Sequence, residues 1–118
     1  MEEISLRNYA YLGDAVWELF VRDLTALRTQ NSKELHQLTT RRVNAEFQHE
    51  LLLKINEILT EDEQELVRRG RNLSIPIARK SNQADYRMAT AFEVLIGWWY
   101  KHNKARLEDI EKILIEFL

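Results

Sequence analysis

YLGDAVWELF, residues 11–20, reads as helix and carries a contradiction. Ala15, Val16, Trp17, Leu19 and Phe20 are apolar and closely spaced, and no proline interrupts them. Gly13 and Asp14 nevertheless stand side by side in the run. A glycine inside a helix costs about 0.5–1 kcal/mol relative to alanine, and an aspartate competes with the helix for backbone donors. Two readings follow. Asp14 opens the helix as its N-cap, or a carboxylate is needed there, beside a backbone that something approaches closely.

The flanking residues favour a long first helix from Leu6 to Leu27. Tyr9, Leu12, Val16, Leu19, Phe20 and Leu24 recur at three- and four-residue spacing and form the expected buried face. Asp14 projects about 200° away from Leu12. Glu18, one turn on, is either a further oxygen ligand or the i+4 partner of Arg22. Asn31 or Ser32 caps a helical region from Lys33 to Leu59, with a weak point at Thr39–Arg42 that divides a short helix from a long one. Thr60 and Glu63 form a capping-box pattern. The helix they open ends at Gly70, the expected C-cap. Residues 71–84 have no helical period and hold the only proline, so they are the one long loop. Asp85 to Lys101 is the next helix, with Met88, Phe92, Leu95, Ile96 and Trp99 apolar. Arg106 to Phe117 is the last, with Leu107, Ile110, Ile113, Leu114 and Phe117 buried. Trp17, Trp98 and Trp99 read as core or interface.

Composition supports a single all-α domain over residues 1–118. The chain is 45% hydrophobic and 31% charged, with three glycines and one proline, leaving few tight turns. With no cysteine, disulfides, thiol chemistry and cysteine zinc sites are excluded. His36, His49 and His102 match no metal-ligand spacing. Any bound metal is therefore hard and oxygen-ligated, such as Mg²⁺ or Mn²⁺. No apolar run approaches a membrane span, and the N-terminus resembles neither a signal nor a transit peptide. The expectation is a cytoplasmic protein with no membrane partner. The net charge is −2, yet Arg68, Arg69, Arg71, Arg79, Lys80 and Arg87 face only Asp85 within residues 68–87. A basic segment on an acidic body points to a polyanion met at one place.

A second acid repeats the opening pattern: in ATAFEVLIGWWYK, Glu93 lies one turn before Gly97. Here the sequence resembles the catalytic domain of the ribonuclease III family. YLGDAVWELFVR (11–22) is similar to that domain's signature, and TAFEVLIGWWY (90–100) to its second acidic motif. RRGRN (68–72), YRMATAFE (86–93) and LHQLTTRRVNAEFQ (35–48) resemble the short bacterial Mini-ribonuclease III branch, which lacks a double-stranded-RNA-binding domain.

The resemblance implies a helical endonuclease bundle acting as a homodimer on double-stranded RNA with Mg²⁺, or Mn²⁺ in its place. It implies maturation of the ends of precursor large-subunit (23S) ribosomal RNA, with a ribosomal protein or pre-ribosomal particle as a candidate partner. Asp14 and Glu93 match the family's catalytic, metal-binding carboxylates. Arg68, Arg69, Arg71, Asn72, Arg79, Lys80 and Arg87 become RNA-binding candidates, and Tyr9, Tyr11 and Leu12 dimer-interface candidates. The wider family has acids where this chain has Ala10 and Thr90. The Mini branch shares the threonine and often has glycine where Ala91 stands. The alternative reading is therefore a non-cleaving RNA-binding domain of the same fold in ribosome assembly.

Overall fold

The computed structural model describes residues 4–73 and 82–118. Among these it is all-α: α1 (Leu6–Thr25), α2 (Ser32–Val43), α3 (Ala45–Ile55), α4 (Glu61–Arg71), α5 (Gln83–His102) and α6 (Lys104–Leu114). Short 3₁₀ turns follow α3 and α6 at Asn56–Ile58 and Ile115–Phe117.

The helix α5 is the hub, with α1, α3 and α4 packed around it. Ala91, Phe92, Val94, Leu95, Ile96 and Trp99 are fully buried, so it is apolar on nearly every side, as a helix inside a bundle must be. Trp17 of α1 meets Phe92 edge-on with centroids 5.1 Å apart. The Trp17 indole N–H donates to the Arg42 carbonyl at 2.9 Å, which ties α1 to the end of α2. Leu107, Ile110 and Leu114 seat α6 in the same core.

Side-chain caps set the helix starts. Ser5 accepts from the Asn8 N–H, so α1 begins well before Asp14 and the N-cap reading of that residue is excluded. Asn31 accepts from Glu34 N–H at 2.9 Å. The Thr60–Glu63 capping box is present in both directions. Glu63 does more than cap. Its carboxylate also accepts from Trp99 Nε1 at 2.7 Å and from Arg106 at 2.9 and 3.1 Å, which joins α4, α5 and α6.

Several boundaries and faces differ from the sequence reading. The break expected at Thr39–Arg42 falls at Asn44, whose side chain caps α3 by accepting from Phe47 N–H at 2.8 Å. Gly70 is not a C-cap: it is buried inside α4, and the cap is Asn72. A Cβ at Gly70 would stand 3.0 Å from Ala91 Cα, so glycine there lets α4 close on α5. The buried stripe of α1 is Tyr9, Gly13, Trp17, Val21 and Thr25, not the face centred on Leu12, Leu19 and Phe20. Leu19 is 63% exposed. At the far end, Ile113 and Phe117 are about 40% exposed rather than buried.

Candidate active site

The stripe of α1 explains the first glycine. A Cβ at Gly13 would overlap the Glu93 carbonyl oxygen, and one at Gly97 would overlap the Tyr9 carbonyl oxygen. The two helices therefore cross backbone against backbone. Asp14 follows Gly13 and Glu93 precedes Gly97 by one turn, so the crossing carries both carboxylates to one place.

They line an open cleft of about 270 Å³ with Val43, Ala45, Gln48, Tyr86, Ala89 and Thr90. Asp14 lies on its exposed side and Glu93 is half-buried. Burial pushes the Glu93 carboxyl up, and a hydrogen bond and like charge from Asp14 push it further, to about 9, against a smaller downward pull from the Gln48 amide. Ionising Glu93 beside the Asp14 carboxylate calls for a counter-charge. A proton kept on Glu93, or a cation held by both, meets that need. The donor set fits Mg²⁺: carboxylate oxygens from two rigid helices, no sulfur or imidazole, and open space for water and phosphate.

Glu18 does not join them. Its carboxylate pairs with Arg22, one turn further on, at 3.1 Å. Among the described residues no group of three or more acidic or histidine side chains is placed to hold a metal. Thr90 lines the cleft, but its hydroxyl donates to the Tyr86 carbonyl at 2.9 Å. His49 Nδ1 lies 2.8 Å from Asp85 Oδ1, which clips α3 to the first turn of α5 beside the cleft.

The sequence reading missed Gln48. It is 2% exposed, and its Nε2 has no hydrogen-bond partner of normal geometry. The signal was present in the pattern: Gln48 stands at the i, i+3, i+4 and i+7 register of Leu51, Leu52 and Ile55, a polar residue in a buried stripe.

The remaining candidates are dispersed. Arg68, Arg69 and Arg71 are exposed on the last turn of α4, followed by Asn72. Arg68 is paired with Glu65. Arg87 turns back onto the end of α4, and its Nη1 donates to the carbonyls of Arg71 at 3.2 Å and Leu73 at 3.4 Å. Arg79 and Lys80 lie outside the described residues. Of the interface candidates, Tyr11 is 84% exposed and Leu12 half-buried. Tyr9 is buried within the subunit, its hydroxyl 2.6 Å from His102 Nε2.

Residues 7–104 match the Ribonuclease III domain. Mini-ribonuclease 3 of Gloeobacter violaceus is 39% identical over 117 residues, spanning 99% of this chain and 87% of its own length. Mini-ribonuclease 3 of Clostridium tetani is 39% identical over 110 residues, spanning 90% and 73%. The crystal structure of protein FN1578 from Fusobacterium nucleatum aligns with a TM-score of 0.86 at 31% identity, covering 98% of this chain and 94% of that one.

Proposed function

The chain belongs to the ribonuclease III domain family, and on that ground we propose that it is a Mg²⁺-dependent endoribonuclease cutting double-stranded RNA, its substrate the ends of precursor 23S ribosomal RNA. The observation that carries this reading is the meeting of Asp14 and Glu93 in one cleft across the glycine crossing. Mg²⁺ bound there supplies positive charge that polarises the phosphate and makes water nucleophilic near neutral pH. Asp14, on the exposed side, and Glu93, half-buried on the core helix, would hold the cation. Rigid helical supports keep that geometry, and Val43, Ala45 and Ala89 give the cleft apolar walls.

Duplex RNA presents phosphates and 2′-hydroxyls rather than readable base edges. Arg68, Arg69 and Arg71 suit phosphate contact and Asn72 a 2′-hydroxyl, with Arg79 and Lys80 continuing the same basic segment. Cutting both strands calls for two centres related by two-fold symmetry. A homodimer built on the exposed Tyr11 and neighbouring Leu12 supplies them. A ribosomal protein or pre-ribosomal particle is a partner consistent with this substrate.

The test is cleavage of a long RNA duplex in Mg²⁺ at low salt, with single-stranded RNA and DNA controls and EDTA as the blank, comparing wild type with Asp14→Asn. Wild type is expected to cut only the duplex, and the variant to bind without cutting. If both proteins bind and neither cuts, the non-cleaving reading suggested by Ala10 and Thr90 replaces this one.

A further inference from the structure

Gln48 sits where an apolar side chain would serve the core better. It belongs to the buried stripe of α3 with Leu51, Leu52 and Ile55. A buried amide nitrogen with no acceptor is a net cost, and native proteins keep such groups where something else needs them. The side chain lines the same cleft as Asp14 and Glu93. The Thr90 hydroxyl is already committed to the Tyr86 carbonyl, and Val43, Ala45 and Ala89 offer no side-chain acceptor. Of the two carboxyls that line the cleft, the Gln48 amide reaches that of Glu93.

We propose that Gln48 is a positioning residue: its Nε2–H donates to the Glu93 carboxylate while Asp14 and Glu93 hold a divalent cation, fixing which oxygen faces the cation. This rests on the metal-carboxylate reading above. A carboxylate has two oxygens and can rotate about its last bond. A donor seated on one oxygen stops that rotation and leaves the other aimed into the cleft. Partners of this kind orient metal ligands, and their loss typically weakens metal affinity 10–100-fold. The three groups come from α1, α3 and α5, so the cleft is completed by a helix that contributes no matched carboxylate.

The experiment is Mn²⁺ titration by calorimetry on the RNA-free protein, with the metal-free melting temperature read in parallel. It compares wild type, Asp14→Asn and Gln48→Met, the last keeping the length of the side chain without its donor. Wild type is expected to bind Mn²⁺ and Asp14→Asn to lose binding. Gln48→Met should bind about 10-fold more weakly, while its metal-free melting temperature equals or exceeds that of wild type. If Gln48→Met matches wild type in Mn²⁺ affinity, the proposal is overturned and the metal reading survives. A melting temperature that falls while Mn²⁺ affinity is unchanged overturns it too, since Gln48 is then only structural. Should wild type bind no Mn²⁺, both fall. If Gln48→Met does not fold, Gln48→Asn, whose amide is drawn back from the cleft, is expected to show the same weakening, and wild-type affinity in it overturns the proposal.

Discussion

Gly13 and Gly97 face each other where α1 crosses α5, each backbone nitrogen within 2.9–3.0 Å of where the other's Cβ would stand. The obstructing atoms are backbone, so no rotamer change relieves an added methyl. Gly13→Ala and Gly97→Ala should each cost about 3 kcal/mol or more, the upper end for overpacking, despite the gain in helix propensity. Gly70→Ala meets only the 3.0 and 3.3 Å approaches of Ala91 and Val94 and should cost about 1 kcal/mol or less. Urea denaturation of the three variants checks the order. Wild-type stability in Gly13→Ala would sink the claim that the crossing is backbone-tight.

That crossing also shows what could be read in the sequence and what could not. The all-α class, the Thr60 capping box, a cap at Asn31 or Ser32 and the pairing of acids with helical glycines followed from local pattern. The buried face of α1 did not. The apolar side chains of Leu12, Leu19 and Phe20 outvoted a stripe that contains Gly13 and Thr25, because periodicity counts hydrophobic atoms and cannot see a contact made by their absence. Gly70 was misread for the same reason, as a glycine that ends a helix and not one that lets two helices touch. Gln48 was visible only as a breach of pattern in α3, and its meaning needed the cleft. Tyr9 read both as core and as interface; its hydroxyl meets His102, a partner remote in sequence that no local pattern could supply.

Glu63 ties three helices, and its removal tests that. Burial raises its pKa, but Arg106, the Thr60 N–H and the Trp99 indole together outweigh burial and hold it below the ordinary value. Glu63→Ala strands the Trp99 N–H and Arg106, and should cost roughly 2–4 kcal/mol at pH 7. With its folded pKa depressed, Glu63 contributes stability above pH 4.5, lost as pH falls through the folded value. The gap between wild type and variant should therefore narrow in acid. A constant gap from pH 7 to pH 3 in thermal melts would show that packing, and not charge, accounts for the loss.

Glu93 gives the opposite sign. Its folded pKa is pushed up to about 9, so between about 4.5 and 9 the native state holds a proton that the unfolded chain releases. Stability contributed by this group is complete below 4.5 and falls as pH rises toward 9, with a slope approaching ~1.4 kcal/mol per pH unit for one proton. Glu93→Gln should flatten that slope in metal-free protein. Mg²⁺ competes with the proton, so it should raise the melting temperature more at pH 8.5 than at pH 6.5. Melting curves with EDTA or Mg²⁺ across this range decide it, and equal Mg²⁺ effects at both pH values would argue against a cation between Asp14 and Glu93.

The arginines at the end of α4 should separate into two behaviours. Arg69 and Arg71 are exposed, and a phosphate contact by either acts through counterion release. Arg69→Ala and Arg71→Ala should each lower the salt slope of duplex-RNA binding by about 1 and leave the melting temperature unchanged. Arg87 is committed to the carbonyls of Arg71 and Leu73, where it closes the C-terminal end of α4 and joins it to α5. Arg87→Ala should cost about 1 kcal/mol of stability with a smaller change in salt slope. Filter binding over a salt series, paired with thermal melts, distinguishes them. If Arg87→Ala lowers the slope as Arg69→Ala does and melts like wild type, its role is to meet RNA, and the end of α4 is held without it.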